Sequence, residues 1–256
     1  MNATASALVG RVLPPVALFV ALLALWQLAV VVGEIPPFLL PSPLAIGSAF
    51  GELLPSIVSA SLVTGANALS GLVVGAALGM VAAVVAAFVR FLDSMFAPLI
   101  AAIAVVPIVA LAPVLYTMFG AGVEIARVIV AAIAVFVPVF INTLRGLRQV
   151  RPVHRDLMRA YAATGWQTAR AVTIPSALPF MFTGLRIASS LAVISAIVAE
   201  YFGGPRSGIG SLITSAASGS NYARAWAFVV GAIVVGLVFY VATLAIEKFF
   251  TRHRPA

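Results

Sequence analysis

Residues 62–89 read LVTGANALSGLVVGAALGMVAAVVAAFV, and no charged side chain interrupts the run. A helix needs about 20 consecutive apolar residues to cross the hydrocarbon core of a bilayer. This stretch exceeds that, and the uncharged sequence begins still earlier, at Leu53, so residues 53–61 read as a polar-ended lead-in. Comparable runs recur along the chain, and the predicted spans are residues 12–33, 62–89, 94–118, 124–144, 179–200 and 225–247. The first has an apolar core too long for a signal peptide, and no small-residue cleavage site follows it. Composition agrees: of 256 residues 63% are hydrophobic and only 9% charged, with a mean hydropathy of +1.17. A soluble domain carries roughly 25% charged residues to cover its surface. The expectation is an all-α, polytopic membrane protein of about six transmembrane helices, one domain over residues 1–256 with no separate soluble part.

The charges that do occur are distributed unevenly. With the N-terminus cytoplasmic, Arg11, Arg90, Arg145, Arg148, Arg151, Arg155, Arg159, Arg170, Lys248, Arg252 and Arg254 share one side, and Arg186 can snorkel to it. Only Arg127, Arg206 and Arg224 fall outside. The positive-inside rule then places both termini in the cytoplasm. The net charge of +8 is therefore a matter of orientation, and no nucleic-acid partner is expected. Lys248 is the only lysine and follows Ala245-Ile246-Glu247, so no Walker phosphate loop exists. The absence of cysteine removes disulfides, thiolate metal sites and cysteine nucleophiles. His154 and His253 lie far apart, and no metal centre is expected.

Within the spans, Gly71, Gly75 and Gly79 repeat at four residues, the pattern that lets helices approach closely in lipid. The expected use is packing within the chain, with a subunit interface as the alternative. Pro98, Pro107 and Pro113 predict a kinked third span. Polar side chains are few, and none of them is a carboxylate at mid-membrane; Glu200 reads as an interfacial residue at the outer end of its span. Candidate pathway-lining residues are Asn67, Pro107, Asn142, Arg186 and Ser190. A chain without a nucleotide site or an evident ion relay can move solute uphill only with work supplied by a partner. Two segments are expected outside: 33–61, where prolines at 36, 37, 41 and 43 forbid a continuous helix but leave room for a short one over 44–54, and 201–224, with a short helix after Gly203-Gly204-Pro205.

The longest polar stretch is the cytoplasmic insert 145–178. Pro152 can open a helix, on which Arg151, Arg155 and Arg159 form a basic stripe beside Leu157, Ala160 and Tyr161. Gly165 reads as a break before a second short helix, 166–172, and Pro175 and Pro179 as the end of the insert and the return into the bilayer. A basic loop resting on anionic headgroups would account for the arginines. It would not account for the helix–break–helix, because surface attraction demands no fixed turn. An exposed apolar-plus-basic helical pair at a membrane face reads as a docking element for a soluble partner.

The insert resembles the EAA loop of the permeases of type I ABC importers, the binding-protein-dependent transport systems. That pattern is Glu-Ala-Ala, three residues, Gly, nine residues, Ile, one residue, Leu-Pro, and it falls on Asp156, Leu157-Met158, Ala162, Val172 and Ile174-Pro175. LPSP at 40–43, TGWQTARAVTIPSALPFMFTGLRIA at 164–188, AEYFGG at 199–204 and GIGSLI at 208–213 are similar to the alkanesulfonate, taurine, nitrate and thiamine-precursor branch. Ala162 stands where the family has glycine, so either the turn moves to Gly165 or the two helices run together more smoothly. The resemblance implies a non-enzymatic permease subunit in a bacterial inner membrane, paired with a second copy, served by two ABC ATPase subunits and a periplasmic or lipid-anchored solute-binding protein. ATP and magnesium would then be bound by the ATPases, with no cofactor in this chain. The residues it assigns to ATPase coupling are Arg155, Asp156, Leu157, Met158, Arg159, Tyr161, Ala162, Gly165, Trp166 and Pro175. The expected solute is a sulfonate, nitrate or pyrimidine precursor. The alternatives are an ATP-independent carrier or channel with a basic loop, and a membrane scaffold that recruits a soluble enzyme.

Overall fold

The structure is a computed structural model that describes residues 3–251, and every regular element among them is helical. Arg252, His253 and Arg254 lie outside the described residues, as do the side chains of Arg11 and Arg90. The helices are α1 (Ala3–Val32), α2 (Pro43–Glu52), α3 (Leu54–Phe88), α4 (Arg90–Val105), α5 (Ile108–Phe119), α6 (Ile125–Arg148), α7 (Pro152–Ala160), α8 (Gly165–Thr168), α9 (Ile174–Phe202), α10 (Ile209–Ser218) and α11 (Tyr222–Thr251). A π-helical turn, Ala169–Thr173, joins α8 to α9. Five helices are long and apolar enough to cross a membrane, and six spans result if α4 and α5 count as one.

The bundle is built around α6. Added β-carbons on Gly71 and Gly75 of α3 would overlap Ala131 Cβ and Ala132 O of α6, and one on Gly79 would come within 2.9 Å of Phe136 O. The glycine repeat is therefore an internal seam between α3 and α6. Along an adjacent face of α6, Gly184 of α9 faces Asn142 and Pro138, while Gly146 of α6 faces Phe180 and Ala177 of α9. Lipid tails are as apolar as leucine, so helices in a bilayer associate through close packing, and small residues supply it. Ala68, Leu72, Val135, Val139, Ala192 and Phe228 then fill the core where α3, α6, α9 and α11 meet. The outward faces keep large apolar side chains exposed, Leu62 (69%), Val73 (60%) and Val238 (59%) among them, as a lipid-facing surface requires.

Two expectations change. The lead-in 53–61 is no separate piece, since α3 starts at Leu54 and runs unbroken to Phe88. The third span is broken rather than merely kinked, with α4 and α5 bent by 93°. Pro107 lacks an N–H and disfavours helical backbone at the residue before it, and Val106 is accordingly extended (φ −60°, ψ 121°). The short helix expected within the Pro-rich segment is present as α2 and is capped: Ser42 Oγ accepts from Ala45 N at 3.2 Å, with Pro43 in the first turn. Leu44 N donates to Gln27 Oε1 at 3.2 Å, and Trp26 meets Trp226 edge-on at 5.7 Å, so α1 is held through α2 and α11.

Candidate functional site

At one end of the bundle the chain leaves α6 and forms a helical arm. Pro152 opens α7, which buries none of its residues. Tyr161 (75% exposed) and Trp166 (71%) stand out from it with the half-exposed Leu157 (52%), and Met158 is partly covered. Arg155 is exposed, and Asp156 accepts from Arg159 Nη1 at 3.3 Å on the same helix face. Such an exposed pair adds little stability, which leaves these side chains available for a partner.

The turn falls at Ala162, not at Gly165. Ala162 has φ +49°. Ala163 N donates to Met158 O and Ala162 N to Arg159 O, each at 2.9 Å, so α7 ends in a Schellman motif with alanine at its left-handed position. Gly165 has another role. Thr164 caps α8 and forms a capping box with Gln167 (Gln167 N to Thr164 Oγ1 3.3 Å, Thr164 N to Gln167 Oε1 2.8 Å), which makes Gly165 the first helical residue. Two outcomes follow for purified protein followed by thermal melting and protease protection of the arm. Ala162→Gly relieves a left-handed alanine and is expected to strengthen the arm by about 1 kcal/mol. Gly165→Pro, which a break at Gly165 would make disruptive, is expected to be tolerated, because proline suits a first helical position and Thr164 is already extended (φ −67°, ψ 160°). Melting of the arm in Gly165→Pro would refute this placement of the turn.

The second half of the arm is also not a separate helix. From Gly165 through the π turn and α9 the chain is helical to Phe202, so Pro175 and Pro179 lie within a continuous element. Proline removes the bond to the residue four earlier and crowds that carbonyl. The wider π turn immediately before Pro175 accommodates the change of register. α8 is thereby continuous with a membrane-spanning helix.

The opposite end holds a buried polar cluster. Arg127 of α6 is fully buried (0%) and Glu200 of α9 nearly so (2%). Arg127 Nη1 pairs with Glu124 Oε2 at 2.6 Å and lies 3.7 Å from Glu200 Oε1. Its Nε donates to Tyr116 Oη at 3.2 Å, and its Nη2 donates to Pro205 O. Glu200 accepts from Thr64 Oγ1 (3.0 and 3.1 Å) and from Gly210 N at 2.7 Å, while Ile209 N donates to Thr64 Oγ1 at 2.9 Å. A carboxylate at the first turn of α10 suits the positive end of the helix dipole. The glycines around it permit this approach: a β-carbon at Gly208 would overlap the Glu200 carboxylate, and Gly204 (φ +89°) passes under the Tyr116 ring.

Of the pathway candidates, Asn67 is buried in this cluster, its Nδ2 donating to Glu124 Oε2 at 2.6 Å. Asn142 donates to Pro138 O of its own helix at 2.8 Å, Arg186 pairs with Glu247 of α11 at 3.3 Å, Ser190 is half-buried, and Pro107 is exposed at the α4–α5 break. Glu200 lies near the end of α9, and there it is buried within the protein. Arg127 and its ion pair were missed by sequence reasoning. The available signal was an arginine within an almost uncharged run together with the glycines that flank Glu200.

Membrane-length helices packed through glycine seams, with an exposed arm at one end and a buried charged cluster at the other, define a polytopic α-helical membrane protein. The sequence profile of the family described as binding-protein-dependent transport system inner membrane component matches residues 75–253. The chain belongs to that family and is a permease subunit of an ABC importer, a transport component rather than an enzyme. It is similar to the riboflavin transport system permease protein of Chloroflexus aurantiacus, 32% identical over 90% of this chain and 86% of that one. It is also similar to the taurine transport system permease protein of Escherichia coli, 26% identical over 91% and 86% of the two chains. The crystal structure of an amino acid ABC transporter with histidines shares the fold, with a TM-score of 0.60 at 18% identity over 79% of this chain and 96% of that one.

Proposed function

We propose that two copies of this chain form the solute pathway of the importer and that residues 152–168 dock each copy onto a separate ATPase subunit. The observation that supports this most directly is the arm: an exposed basic and aromatic helix pair whose second half is continuous with a spanning helix. ATP binding closes the ATPase dimer, draws the two arms together, and α8 passes that motion through α9 to the pathway. ATP and magnesium stay on the ATPases. In this reading the arm and both termini are cytoplasmic, and the end bearing α10 receives solute from a periplasmic or lipid-anchored binding protein. The solute is a small molecule of the class of sulfonates, nitrate or pyrimidine precursors, and selectivity rests mostly with the binding protein.

The test is purification of the tagged chain from its native host in mild detergent, then coupled ATPase measurement with Asp156→Arg and Trp166→Ala. An ATPase in stoichiometric amount is expected, and Asp156→Arg should set a like charge against a basic groove and cut coupled hydrolysis about fivefold or more. Solute flux through liposomes by the purified chain alone, without ATP, would establish the carrier reading instead.

A further inference from the structure

A cavity of about 320 Å³ lies beside the buried cluster, between the turn after α9 and one face of α10. Its α10 wall is a stripe of hydroxyls, Ser211, Thr214, Ser215 and Ser218, at the spacing that places residues on one helix face. The rest of the lining, Glu200 aside, is Tyr201, Phe202, Gly203, Gly204 and Arg206. Arg206 is exposed and has no ion pair among the described residues. Glu200 also borders the cavity, with Thr64 and Gly210 N bound to its oxygens and Arg127, which it shares with Glu124, beside it. Arg206 is thus the charged group of the cup that no ion pair engages among the described residues. Ser211, Thr214 and Ser218 donate to carbonyls of their own helix, Ser215 has no partner among the described residues, and all four hydroxyls can rotate.

The cup is also held in place. Arg127 binds the carbonyl of Pro205, the residue before Arg206, and Glu200 and Thr64 bind the first two amides of α10. A binding constellation needs such a rigid supporting shell to keep its geometry, and burying ionised groups to hold a mere connecting loop would be costly.

We infer that this cup is a binding site for a small oxyanion, such as a sulfonate, with Arg206 supplying the charge and the α10 hydroxyls orienting the oxygens. As an entry site for imported solute it rests on the importer reading above; as a binding site it does not. The experiment titrates the purified chain in neutral-lipid nanodiscs with methanesulfonate and, in parallel, with the uncharged methanesulfonamide. Methanesulfonate is expected to bind at least about tenfold more tightly, and Arg206→Gln to lose about tenfold, the scale of one charge-assisted contact. Ser215→Val should weaken binding less, and Arg206→Lys should restore part of it. Equal binding of the two probes, or an unchanged Arg206→Gln, overturns the site. A binding protein that docks less well on Arg206→Gln while methanesulfonate binding is unchanged also overturns it, and assigns the arginine to a protein interface. Coupled ATPase activity is measured separately, so a failed ATPase association counts against the coupling reading and leaves the oxyanion result standing.

Discussion

Replacing Arg127 with methionine is expected to destabilise the protein by about 3–5 kcal/mol, the usual cost of leaving one member of a buried ion pair alone. Arg127 is fully buried and serves four groups, Glu124, Glu200, Tyr116 and the carbonyl of Pro205. Methionine returns none of these bonds, and Glu200 must then stay charged in a dry site or take up a proton. Glu200→Gln should be milder, because an amide oxygen can still accept from Gly210 N. The double replacement by methionine at both positions should cost less than the two single changes combined, since no charge then stays in the fully buried site and the carboxylate that loses its partner, Glu124, is partly exposed. Thermal melting in detergent measures all of them, and an Arg127→Met protein that melts with the wild type would remove the cluster from its supporting role.

A second large effect is expected at the α3–α6 seam. A β-carbon on Gly75 would overlap Ala132 O and lie 2.9 Å from Val135 Cβ, so even Gly75→Ala must separate two backbones. Overpacking typically costs about 1–3 kcal/mol. Gly75→Leu, with no space to turn into, should prevent the folded state from accumulating. Gly65, on the same helix, provides the control. A β-carbon there meets only Phe239 Cε2 at 3.9 Å, so Gly65→Ala should be neutral or gain up to about 1 kcal/mol from helix propensity. Equal melting temperatures for Gly65→Ala and Gly75→Ala would show that the seam is looser than its geometry indicates.

These two predictions separate what is local from what is not. The uncharged run at 62–89 specified a membrane helix by itself, because the cost of exposing backbone or charge to lipid depends on composition and length alone. The same held for the arm, where Pro152 and the arginine stripe are signals read within a few residues. The motifs at 199–204 and 208–213 were visible too, but the reason for them was not. Gly204 and Gly208 are needed because Tyr116, Arg127 and Glu200 arrive from other helices.

The turn at Ala162 shows the limit even over short range. Glycine at 165 suggested the break, yet the Schellman bonds from residues 162 and 163 put the left-handed residue three positions earlier. By itself the sequence determined the all-helical, membrane-spanning class, the existence of the arm and the family, since periodicity and composition act along the chain. Tertiary structure decided that the glycine stripe faces α6, that Arg127 and Glu200 share one desolvated site, and that α8 continues into α9. Those outcomes depend on which helices become neighbours, and residues as far apart as Thr64 and Glu200 carry no sign of each other until packing brings them to 3.0 Å.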